Sequence, residues 1–184
     1  MIDSAQPLIL VIGLGNPILG DDGVGWAVAQ VIKDRLSLDL STGLVQSKLD
    51  SVEIDFISLG GLSLMERLVG CQYVILIDAI VTGTAPLGTV RLLRLDDLPE
   101  QQAGHLASAH DVSLKTALRV GQSMGYTLPN EIWVIAIESH ITYEFSEKLS
   151  APVEAAIPEA CDQAFRLIHY WIPLPPDANK SKIG

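Results

Sequence analysis

Continuously apolar runs alternate with amphipathic stretches along most of the chain. Residues 8–14 open with the apolar run Leu8 to Ile12, and Tyr73-Val74-Ile75-Leu76-Ile77 is a longer, β-branched run ending on Asp78. Such runs suit parallel strands covered on both faces. Ile132 to Ile137 reads as the last strand, and Gly88 to Leu95 as another. Val52 to Ile57 alternates apolar and acidic positions, which suits a strand near a sheet edge. Helical periodicity falls on 23–36, 62–69, 111–125 and 152–171, and Pro158 is expected to bend or delay the last of these. Only a short polar turn separates the strand ending at Asp78 from the one starting at Gly88. That is too little for a helical crossover, so this pair is expected to be antiparallel. The alternation predicts a single three-layer α/β domain over 1–184, with a mostly parallel, mixed sheet. Its core is expected over about 7–172, with a mobile proline-rich tail at 173–184.

One stretch breaks this regular pattern. Val11 to Gly25, VIGLGNPILGDDGVG, joins the first strand to the first helix through glycines and delivers two adjacent acids, Asp21 and Asp22. A dinucleotide fingerprint also joins strand to helix through glycines. Here Ile18 stands where the third glycine belongs, Pro17 intrudes, and two acids near the helix start would repel a pyrophosphate. Either acid could serve as an N-cap, favoured by the helix dipole. One cap suffices, which leaves one carboxylate for chemistry, and spacing does not say which.

Charge and cysteine content narrow the classes. A net charge of −10 over 184 residues argues against nucleic acid or an anionic membrane as partner. Cys71 and Cys161 lack CxxC spacing, so neither a disulfide framework nor a zinc knuckle is indicated, and both are expected to be buried and inert. The start, MIDSAQPLIL, has no basic segment ahead of its apolar run, and no apolar run reaches membrane-spanning length. A cytoplasmic monomer is the expectation.

In open α/β folds ligands sit beyond the carboxyl ends of the strands. Asp21-Asp22 follows the first strand, Asp78 ends a central one, and His110 precedes a helix in Ser108-Ala109-His110-Asp111. Two carboxylates and an imidazole suit a transition metal such as nickel or zinc, with room for water or substrate. Each residue also has an ordinary reading: Asp78 as the cap of a turn, His110 as a helix-start residue. His105 has no better spacing, and His169 reads as packing in the last helix. His140 follows the last strand and is the best spare ligand. Glu138 is read as a substrate contact or a solvated carboxylate. There is no GxSxG elbow, no HExxH and no GxxxxGK[ST].

GLGNPILGDDGVG after the first strand, IDAIVTG around Asp78 and SAHDVSL before a helix together resemble the [NiFe]-hydrogenase maturation endopeptidases. The likeness runs from about residue 8 to about residue 171. It implies an α/β/α sandwich around a five-stranded twisted sheet. It also implies removal of a C-terminal peptide from a hydrogenase large-subunit precursor once nickel is in place. The family's catalytic and metal-contacting positions fall on Asp22, Asp78 and His110, with the nickel supplied by the substrate; zinc or another divalent metal is the alternative. Gly60 and Gly61 fall in a substrate-contacting loop. Leu59 stands where many members carry an acid, and Glu138-Ser139-His140 where members often carry a proline. A nickel-sensing scaffold that binds the precursor without cutting it would use the same ligands.

Overall fold

The computed structural model describes residues 8–41, 51–98, 113–140 and 145–172. Five strands form one sheet: β1 (Ile9–Leu14), β2 (Val52–Ile57), β3 (Tyr73–Ile80), β4 (Val90–Arg94) and β5 (Glu131–Glu138). Their order is β2-β1-β3-β5-β4. The first four in that order run parallel, and β4 lies antiparallel to β5. The expected antiparallel pair of β3 with β4 is therefore corrected. The chain reverses after β3, but β5 inserts between the two, and β4 becomes an edge strand. A short connection fixed the direction of β4 and said nothing of its neighbour.

Among the described residues the helices are α1 (Val24–Ser41), α2 (Gly61–Leu68), α3 (Leu114–Ser123), α4 (Ala151–Ala155) and α5 (Ile157–Trp171). Strand alternation sorts the core into two layers. Ile9, Val11, Ile75, Ile77, Ile135 and Ile137 face α1, α4 and α5. Leu10, Ile12, Leu14, Val74, Leu76 and Val134 face α2 and α3. This double cover explains why β1 is buried at every position and β3 at every position after Tyr73. The first helix outruns its expected end by one turn and more. The last helical stretch is two helices, broken just before Pro158, with Pro152 and Pro158 each in a first turn, where a missing N–H costs little.

Helix α1 lies close on the sheet because glycine meets glycine. A Cβ on Gly13 would stand 2.4 Å from the Gly25 carbonyl oxygen. One on Gly25 would stand 2.2 Å from the Leu14 carbonyl oxygen and 2.3 Å from that of Ile77. Among the described residues no helix is long and apolar enough to cross a membrane.

Candidate active site

The loop after β1 turns at Gly15, whose φ of 123° suits glycine, and then enters a short 3-10 helix, Gly20–Gly23. Both acids of that turn make contacts outside the helix that follows. Asp21 is buried and reaches across the molecule. Its Oδ1 accepts the Ser150 backbone N–H at 2.6 Å, and its Oδ2 accepts the Ser150 hydroxyl at 2.8 Å. Ser150 is the residue before α4, so Asp21 staples the loop to the C-terminal helices. Backbone pairing reinforces the staple: Gly20 N–H donates to the Ser146 carbonyl at 2.6 Å, and Ser146 N–H to that of Ile18 at 2.9 Å. Asp22 is half-buried. Its Oδ2 accepts the Asn16 N–H at 2.7 Å, which folds its carboxylate back over the end of β1. Both acids thus have partners beyond their own turn.

Asp78 lies inside β3, two residues before its end, and is completely buried. Alternation puts it on the same face as Leu76 and Ile80, toward α2 and α3. Its register partner on β5 is Ala136. The Ile77 carbonyl just before it touches Gly25, three residues after Asp22. The sheet therefore brings the Asp22 turn and Asp78 to one edge, at the carboxyl ends of adjacent strands. His110 and His105 lie outside the described residues, as does the tail 173–184. Among the described residues no group of three His, Cys, Asp or Glu side chains is placed to hold a metal ion. Oxygen donors such as Asp22 and Asp78 suit a divalent cation, and a third ligand would have to come from elsewhere.

Gly60 and Gly61 open α2 beside β1, with Gly61 at φ 59°. The Ser58 hydroxyl donates to the Gly15 carbonyl at 2.8 Å, and Gly15 N–H to that of Ile57 at 3.2 Å, so this loop is tied to the Asp22 loop. Glu138 is neither a solvated carboxylate nor a free substrate contact. It is 1% exposed, and its carboxylate accepts the Thr82 N–H at 2.8 Å, the Thr82 hydroxyl at 2.7 Å and the Gly83 N–H at 2.8 Å. Burial pushes its pKa up, but those hydrogen bonds and the Arg91 charge prevail and hold it below the ordinary carboxylate range. Glu138 thus fixes the turn that leaves β3, just past Asp78. His140 is exposed after β5, and His169 is exposed near Phe165 rather than packed in the core. Cys71 and Cys161 are buried, and burial raises both thiols, which keeps them protonated and inert.

Sequence reasoning missed Ser150, Ser58 and the clamp at Glu138. No local signal marks Ser150, because its partner is 129 residues away.

The family model for HycI, hydrogenase maturation protease, matches residues 46–167, about two thirds of the chain. The hydrogenase expression/formation protein HupD of Rhizobium leguminosarum is 27% identical over 165 residues, covering 90% of this chain and 76% of the relative. The hydrogenase 2 maturation protease of Escherichia coli is 27% identical over 160 residues, covering 84% and 87%. The solved hydrogenase maturating endopeptidase HybD of Escherichia coli superposes with a TM-score of 0.66 at 23% identity, covering 88% of this chain and 92% of that one. That last likeness is one of fold, and it includes the α/β architecture described above.

Proposed function

The chain belongs to the hydrogenase maturation protease family, and on that premise we propose that Asp22, Asp78 and His110 meet nickel carried by its substrate. It is an endopeptidase that acts on a hydrogenase large-subunit precursor and removes a C-terminal peptide to complete maturation. The observation that carries the site assignment is the division of labour between neighbouring acids. Asp21 is spent on Ser150, while Asp22 stands over the end of β1 at the edge that also holds buried Asp78.

Nickel belongs to the substrate in this reading. Contact with it reports that metal insertion is finished and fixes the nearby peptide bond for attack. Orientation of that kind lowers the barrier by removing freedom before the chemical step. A carboxylate at the site takes the proton of the attacking water. The precursor's own metal, once held there, would supply Lewis-acid polarisation of the scissile carbonyl. Gly60 and Gly61, tied to the same loop through Ser58, let a substrate backbone approach closely. The scaffold alternative yields to the endopeptidase, because the matched family is one of proteases.

The test is the intact mass of a candidate large-subunit precursor, nickel-loaded and nickel-free, after incubation with this protein. Loss of a C-terminal peptide from the nickel-loaded form alone is the expected result. Cleavage of both forms would leave the protease and remove the nickel requirement. Stable binding with no change of mass would return the scaffold to first place.

A further inference from the structure

The Asp22 turn and the two segments bonded to it carry large apolar side chains that the fold leaves in solvent. Ile18 is 45% exposed, Leu59 64%, Leu62 46% and Phe145 82%. They come from three separate segments, yet the backbone ties all three together. Ile18 lies in the Asp22 loop itself. Phe145 adjoins Ser146, which pairs with Ile18 and Gly20. Leu59 and Leu62 flank Gly60-Gly61, one residue beyond the Ser58 hydroxyl that holds Gly15. Single exposed apolar residues are ordinary on any surface; several on segments bonded to one loop suit an interaction site.

We infer that Ile18, Leu59, Leu62 and Phe145 form an apolar collar that docks the folded large-subunit precursor around its nickel site. The inference rests on the endopeptidase reading. A protein substrate whose cleavable end must reach Asp22 has to cover the loops surrounding Asp22, so the collar is continuous with the reaction site. Its chemistry asks for an apolar, weakly charged patch on the partner, with the few large side chains at the centre carrying most of the affinity. The collar adds binding without touching the reacting atoms. Removing it therefore weakens ground state and transition state alike, which raises KM and leaves kcat alone.

The experiment measures cleavage of the nickel-loaded precursor by the unaltered chain, by Leu59→Ser, by Phe145→Ser and by the double variant. Thermal unfolding of each is followed alongside. Exposed side chains contribute little to the fold, so Tm should stay where it is. The double variant is expected to raise KM by about tenfold or more with kcat within about twofold, as loss of uniform binding requires. The same loss of affinity should appear when Asp22→Asn, with and without the collar substitutions, is titrated against the precursor by calorimetry. An unchanged KM overturns the collar and leaves the endopeptidase standing. A fall in kcat at constant KM also overturns it, since these residues would then act on the chemistry. A dimer of the free chain that Phe145→Ser dissolves would give the surface to a second copy and overturn it as well. If the unaltered chain cuts no precursor, the endopeptidase reading fails, and the collar fails with it.

Discussion

The amino and carboxyl ends of the sheet each carry a cavity. One, of about 490 Å³, lies near the amino end of β5, between α3 and the β4–β5 pair. The other, of about 690 Å³, lies behind the Asp22 loop and is lined by Pro17, Gly20, Trp26, Phe56, Leu149 and Ile157. At the amino end the charged groups answer one another. Arg94 sits 4.9 Å from the centre of the Trp133 ring and 3.9 Å from Glu131, which accepts the Trp133 N–H at 3.0 Å. Lys115 donates to the carbonyls of Asp96 and Leu98. At the carboxyl end three carboxylates, Asp21, Asp78 and Glu138, are buried, and a fourth, Asp22, stands half-buried beside them. Burying carboxylates opposes folding unless hydrogen bonds or a cation compensate. Among the described residues, buried acid is found at the carboxyl end alone. Cavity size does not separate the two ends; the placement of acid does.

The contrast is broken most severely at Asp22. Asp22→Asn keeps an oxygen for the Asn16 N–H, so thermal unfolding should not move. Processing should fall by about 10²–10⁴-fold, the scale of a lost acid–base group, as read by intact mass of the precursor. Its neighbour should behave in the opposite way. Asp21→Ala removes both bonds to Ser150 and is expected to cost about 2 kcal/mol of stability in a denaturant titration. The fraction that remains folded should still cut, because the backbone pairing to Ser146 still holds the turn. If Asp21→Ala abolishes processing while Asp22→Asn spares it, the two acids have been assigned the wrong way round.

Glu138 sharpens the comparison through pH. Its folded pKa lies below the ordinary glutamate value, so folding favours the ionised form. The stability this provides is present above the unfolded value, about 4.3, and is lost as pH falls through the lowered folded value. Glu138→Gln should cost about 1 kcal/mol at neutral pH and flatten that part of the acid loss, measured as urea midpoints across the acid range. The smallest effect is expected at the other end. Arg94→Ala should cost about 0.5–1 kcal/mol, as an exposed cation–π contact does, and leave processing unchanged.

The strands were legible because burial on both faces demands continuous apolar runs. Val74 to Ile77 and Leu10 to Ile12 could serve in little else. Direction was legible too, from the length of the connection after β3, but adjacency was not, since β5 enters from beyond a helix. At the site, Asp78 could be picked out as an acid ending an apolar strand. The pair at Asp21-Asp22 showed that one acid was surplus. Which one was surplus depends on Ser150, and contacts over such separations leave no local pattern. Glu138 was misjudged for a related reason: a lone acid after a strand looks solvated until the turn that donates to it is seen. The glycines of the first loop were noticed for their spacing. Their work is steric, since Gly13 and Gly25 let a helix lie against a sheet at backbone distance.

The bond between Asp21 and Ser150 also bears on time. A chain emerging from the ribosome completes β1 and the Asp22 turn early, and residue 150 follows 129 positions after Asp21. Until then the turn lacks the staple that sets it, together with its pairing to Ser146. Order of synthesis becomes order of competence: a nascent chain carries its acids well before it holds them in place. A protein that certifies the completion of another would thus be held back from certifying anything until its own residue 150 has been added.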